Sequence, residues 1–127
     1  LLDVSFISIR LILPSAFLVL GEEGIMYTLI KPQFEAGRDK IGKNGVVRSS
    51  EVHEEVLNEI VSFTESVGLY VRSLDFSPIT GPEGNIEYLA EILKKTDQER
   101  VISHEEIKRI VAASHENVVS HPKDQKD

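Results

Sequence analysis

The stretch from Glu51 to Phe76 constrains the fold most. Val52, Val56, Ile60, Phe63 and Val67 recur at helical spacing, so a helix over Glu51 to Val67 carries them on one stripe. Gly68 stands where a left-handed C-terminal cap is expected. Leu69 to Phe76 then reads as a strand. A helix with an apolar stripe to bury, joined through one glycine to a strand, predicts a helix packed on a sheet.

The rest of the chain continues that alternation. Leu1 to Val4 reads as the end of a buried parallel strand. The chain opens on it without a methionine, and is expected to be part of a longer one. Ser8 to Leu20 is apolar and helical, starting either with Ser8 as its cap or at Pro14, a residue suited to a first turn. Ile25 to Ile30 is a second buried strand, ended by Lys31-Pro32 because proline cannot donate to a ladder. A loop punctuated by Gly37, Gly42 and Gly45 follows. The turn-rich segment Ser77 to Gly84 separates Leu69 to Phe76 from a last strand, Asn85 to Leu93, antiparallel to it. Ser103-His104-Glu105-Glu106 is a capping box with Ile102 and Ile107 placed as a hydrophobic staple, so a helix should run from His104 to Asn117. His121 to Asp127 is a charged tail. The fold class is therefore α/β: helices on a mostly parallel sheet that ends in an antiparallel strand pair.

Several function classes are excluded. The chain has no cysteine, which removes disulfide frameworks and thiolate metal sites. The longest apolar run, Leu11 to Leu20, is about half of the ~20 residues that span a bilayer, and it contains Pro14 and Ser15. No signal-peptide pattern is present, and a cytoplasmic setting without membrane or metal is expected. A net charge of −7 is a poor match for nucleic acid. The positive charge is local, however: Lys31, Arg38, Lys40, Lys43 and Arg48 crowd one stretch opposed by Glu35 and Asp39. His53, His104, His115 and His121 are expected on helix surfaces or in the tail, none of them a metal ligand.

Three segments are more specific: Asp3-Val4-Ser5-Phe6-Ile7-Ser8, Ile30-Lys31-Pro32-Gln33-Phe34-Glu35-Ala36-Gly37, and Gly81-Pro82-Glu83-Gly84-Asn85-Ile86-Glu87-Tyr88. In this order and spacing, joined by Gly45-Val46-Val47-Arg48, they resemble the TlyA family. Its members, often called hemolysins, are rRNA cytidine 2′-O-methyltransferases related to the FtsJ group. The resemblance covers about residues 1 to 93. It implies the C-terminal half of a Rossmann-like methyltransferase sheet, with residues 1–95 belonging to that domain and 96–127 forming a capping helix and tail. It also implies S-adenosylmethionine as cofactor and ribosomal RNA or a ribosomal subunit as partner. The family pattern is Lys-Asp-Lys-Glu. Asp3, Lys31 and Glu87 match its last three members, and the first lysine has no counterpart here. The glycine-rich cofactor loop and an S4-like RNA-binding module, both upstream in the family, have none either. By the same resemblance, Asp3, Val4, Ser5 and Phe6 lie at the cofactor, and Arg38, Lys40, Lys43 and Arg48 face RNA.

The chemistry suits such a set. A ribose 2′-hydroxyl is a weak acid that must lose its proton as it attacks a sulfonium methyl carbon. A lysine can take that proton only if its pKa is lowered toward neutral. The expected roles are Lys31 as base or hydroxyl-positioning group, Asp3 orienting it, and Glu87 completing the hydrogen-bond network. In-line attack makes positioning a large part of the rate. Phe34 and Tyr88 could stack on a base or pack in the core. Ser5 could line the cofactor pocket or cap a turn. Two readings of other kinds are a membrane-active hemolysin and a non-catalytic RNA- or protein-binding fragment. The missing upstream half implies that this stretch alone is inactive.

Overall fold

The computed structural model describes residues 10, 12–21, 23–42, 45–81, 84–94 and 102–117. The segment from Glu51 to Phe76 folds as its pattern dictates. Helix α3 spans Ser50–Ser66, and the Ser49 side chain accepts from the Val52 amide at 3.3 Å. Gly68 takes φ +87° and its N–H closes the helix on the Glu65 carbonyl at 3.1 Å. Strand β2, Leu69–Phe76, follows directly. An added Cβ at Gly68 would lie 2.7 Å from the Phe17 ring, so both backbone conformation and space require glycine.

The buried face of α3 is wider than the expected stripe. His53, Val56, Leu57, Ile60, Val61 and Thr64 are buried, while Val52, Phe63 and Val67 only border the core. The cause is α4, His104–Asn117, which packs beside α3 and contributes Ile107 and Val111 to the same core. His53, expected on a helix surface, is fully buried. Two other helices precede α3: α1, Leu13–Val19, with Pro14 in its first turn, and the single turn α2, Pro32–Glu35. Ser8, the other possible start of the first helix, lies outside the described residues. The stretch after Lys31-Pro32 was expected to be loop. The φ fixed by Pro32 instead starts α2, and a 3-10 turn at Arg38–Lys40 follows.

The sheet departs from expectation. β1 is Met26–Ile30 and β3 is Tyr88–Lys94, and the order is β1-β3-β2. Every strand pairing among the described residues is antiparallel, so the mostly parallel sheet is not what these residues form. The strand expected over residues 1–4 lies outside them. β1 and β2 point the same way, but β3 runs back between them instead of closing an edge. It also starts later than expected, because Asn85 is engaged in a turn described below. Ile30 pairs with Tyr88, Thr28 with Ala90 and Met26 with Ile92, and this face is buried. A bulge between Val71 and Ser73 turns Arg72 and Ser73 both outward and returns Leu74 to the core. Both outward residues bond the Glu91 carboxylate.

The α4 N-terminus follows the capping box. The Ser103 Oγ accepts from the Glu106 amide at 3.2 Å, and the flanking Ile102 and Ile107 are buried. Phe17, Leu18 and Val19 on α1 leave apolar surface exposed.

Candidate active site

Glu87 precedes β3 and Lys31 follows β1. Continuing the β1–β3 register by one residue sets Lys31 opposite Glu87, although they lie far apart in the chain. The carboxyl end of β2 reaches the same rim, where the Ser77 amide donates to the Glu87 carbonyl at 2.8 Å. The carboxyl ends of the two co-directional strands β1 and β2 and the amino end of β3 therefore meet at one rim.

The half-buried Glu87 side chain is held from two sides. Gln33, on α2, donates from Nε2 to its Oε2 at 3.3 Å. Gly81 lies beneath: a Cβ there would stand 2.8 Å from the same oxygen, so any side chain would push the carboxylate away. The Gly81 amide donates to the Asn85 carbonyl at 2.9 Å, and Gly84, at φ +92°, donates to the Gly81 carbonyl at 3.0 Å. This turn draws Asn85 out of the ladder and explains the late start of β3.

The buried Asn85 side chain joins the turn to the Gly45–Arg48 loop. Its Oδ1 accepts from the Val47 amide at 2.9 Å and its Nδ2 donates to the Gly45 carbonyl at 3.0 Å. The loop is also held from inside. The Val47 carbonyl accepts from His53 Nε2 at 2.9 Å, which fixes the tautomer and leaves Nδ1 an acceptor. His115 Nε2 lies 2.8 Å from that nitrogen and donates to it. The Tyr88 hydroxyl is 3.3 Å from it and donates to Ser114 Oγ at 2.8 Å, whose own proton goes to the Val111 carbonyl at 2.7 Å.

This network sets the pKa values around the loop. Burial, then the neighbouring His115, lowers His53 to about 4, against the raising effect of the Val47 carbonyl. Burial also lowers His115. Burial pushes the Tyr88 hydroxyl up to about 12, against its hydrogen bond with Ser114. Tyr88 is thus a core residue, while Phe34 stays partly exposed.

The expected RNA-facing residues divide. Arg48 is exposed on the loop pinned by Asn85. The Lys40 amine pairs with Glu55 on α3, and that carboxylate raises its pKa. Its charge is therefore partly matched within the chain. Lys43 and the Arg38 side chain lie outside what is described, as do Asp3, Val4, Ser5 and Phe6. Among the described residues no group of three or more histidine or carboxylate side chains could hold a metal, and no helix is long and apolar enough to cross a membrane. Gln33, Gly81, Asn85 and His53 were assigned no role from sequence. A glutamine two residues past Lys31, and an asparagine in the turn before Glu87, were the available signals.

Helices on a sheet whose middle strand runs back between two co-directional strands define an α/β domain, with a lysine and a glutamate brought to one rim as a candidate site. Residues 1–93 match the FtsJ-like methyltransferase family, and the chain belongs to it. YqxC of Bacillus subtilis (strain 168), named as a candidate rRNA methyltransferase, is 43% identical over 92% of this chain and 42% of its own length. TlyA of Mycobacterium tuberculosis (strain H37Rv), a 16S/23S rRNA (cytidine-2′-O)-methyltransferase, is 30% identical over 76% of this chain and 36% of its own. A solved structure titled as a candidate hemolysin from Streptococcus thermophilus superposes with a TM-score of 0.81 at 49% identity, covering 90% of this chain and 41% of that one. The chain thus spans about two fifths of the length of the curated relatives it matches.

Proposed function

We propose that this chain is the catalytic C-terminal part of an S-adenosylmethionine-dependent methyltransferase that modifies a ribose 2′-hydroxyl of ribosomal RNA, at cytidine, in the cytoplasm. The observation that carries the proposal is the register that sets Lys31 opposite Glu87 at the rim shared by the ends of β1 and β2. Family membership and the printed activity of the Mycobacterium tuberculosis relative support the choice of substrate.

Lys31 takes or positions the proton of the attacking hydroxyl. Asp3 orients the Lys31 amine, and Glu87, held by Gln33, completes the hydrogen-bond set around it. The donor set fits the cofactor chemistry, because a hydroxyl attacking a sulfonium needs a nearby proton acceptor and no metal. S-Adenosylmethionine, when bound, supplies the methyl group, and Asp3, Val4, Ser5 and Phe6 are the residues that would hold it. Arg38, Lys40, Lys43 and Arg48 supply the positive charge for the RNA backbone, with Arg48 presented on the loop fixed by Asn85.

Lys31→Ala in the complete encoded protein tests the assignment. It is expected to lower 2′-O-methylation of rRNA at least about 100-fold, read by mass spectrometry of nuclease digests, with an unchanged melting temperature. Full methylation by the variant overturns Lys31 as the reacting lysine.

A further inference from the structure

Among the described residues, Gln33 Oε1 is the buried side-chain polar atom without a hydrogen-bond partner. Buried polar atoms are otherwise nearly always paired, so one left over at a candidate site asks for a donor. The other arm of the same amide is committed, since Nε2 donates to Glu87 Oε2 at 3.3 Å. Exchanging the two ends of the amide does not relieve the shortage. It would turn Oε1 toward the carboxylate, acceptor against acceptor, and leave the N–H groups without the partner they now have. The orientation is therefore set by Glu87, and Oε1 is left without a donor.

The amide belongs to the rim already described. Gln33 stands two residues beyond Lys31 on the single turn α2, whose first residue Pro32 is buried. Its partner Glu87 is confined on the other side by Gly81 and by the Ser77 amide on its own carbonyl. A side chain so fixed has little freedom to seek a partner elsewhere. The donor must come to it, and a ribose presented to Lys31 brings hydroxyl donors to this rim.

We infer that Gln33 is a positioning residue for the reaction, its N–H arm fixing the Glu87 carboxylate while its buried, unpartnered Oε1 accepts a hydrogen bond from a hydroxyl of the incoming ribose. The inference rests on the methyltransferase reading and adds a ribose contact to it. One amide then ties the geometry of the carboxylate to that of the substrate, and misplacement of either is felt at the reacting hydroxyl.

The test uses the complete encoded protein with its rRNA substrate. Gln33→Ala is expected to lower kcat about 100-fold with the KM for S-adenosylmethionine and the melting temperature unchanged. Gln33→Glu sets a second carboxylate against Glu87. The resulting repulsion is expected to lower kcat at least as far as Gln33→Ala does, again with the KM for S-adenosylmethionine unchanged, a split that a merely structural role would not give. If Gln33→Ala does not fold, Gln33→Met, which keeps length and bulk, takes its place. A Gln33→Ala kcat within twofold of the parent overturns the inference. Lys31→Ala is measured beside these variants. An active Lys31→Ala removes the catalytic reading itself, whereas an inactive Lys31→Ala beside parent-like Gln33 variants removes only the role of Gln33.

Discussion

Acidification should unlock the Gly45–Arg48 loop through His53. The ring is fully buried, donates from Nε2 to Val47 and accepts at Nδ1 from His115. A proton added at Nδ1 would face the His115 N–H, donor against donor. The folded pKa of about 4 lies below the ordinary 6.5, so the unfolded chain binds the proton more readily. Stability is therefore fully present above pH 6.5 and is lost as pH falls toward 4. At about 1.4 kcal/mol per pH unit, the gap amounts to about 3 kcal/mol. About 2 kcal/mol of that should be gone by pH 5. His115 is lowered as well and acts in the same direction. The assay is urea unfolding at intervals from pH 7.5 to 5, on the parent and on His53→Gln, whose amide can still donate to the Val47 carbonyl but does not titrate. The parent should lose about 2 kcal/mol more than the variant across that range. Parallel curves, agreeing to within about 0.5 kcal/mol, would refute a neutral buried His53.

Two other substitutions probe the same framework. Asn85→Ala leaves the buried Val47 amide and the Gly45 carbonyl without partners, and should cost about 1–3 kcal/mol. Hydrogen exchange at the Val47 amide should speed up, and an unchanged rate would show that the loop is held some other way. Gly68→Ala must adopt φ +87° and meet the Phe17 ring, so it should cost at least about 1–2 kcal/mol. A melting temperature equal to the parent's would contradict the tight turn.

The parts of the fold that were legible in sequence are those fixed by near neighbours. The strand Leu69–Phe76 and the helix His104–Asn117 match their expected bounds, because the Gly68 turn and the Ser103 cap act within a few residues. His53 was not legible. It stands among Glu51, Glu54 and Glu55 and reads as part of a solvated face, and it is buried by the Val47 loop, Tyr88 of β3 and His115 of α4, of which the last two lie far downstream. Asn85 fits a strand or a turn equally well by type. Its side chain is committed to a loop forty residues away, a fact that no local pattern carries. Gln33 and Glu87 came from quoted motifs, yet the hydrogen bond between them depends on where α2 lies against the turn at Gly81.

The direction of β3 decides whether the candidate site can exist. Because β3 is antiparallel to β1, its first residue pairs with the last residue of β1, Tyr88 with Ile30. Glu87 and Lys31 are then carried one step beyond that pair on the same side. Because β2 is antiparallel to β3 as well, Phe76 ends opposite Tyr88, and Ser77 reaches Glu87. A β3 running parallel to its neighbours would deliver Glu87 to the opposite end of β1. That end is five residues away, or about 17 Å at about 3.3 Å per residue, beyond the reach of any lysine. The reversed strand needs no crossover helix, and the short turn from Ser77 to Glu87 suffices to return the chain. The glycines of that turn serve both ends at once: Gly84 supplies the left-handed residue that reverses the backbone, and Gly81 clears the space into which the carboxylate folds. The connection that closes the sheet is thus also the connection that aims the acid.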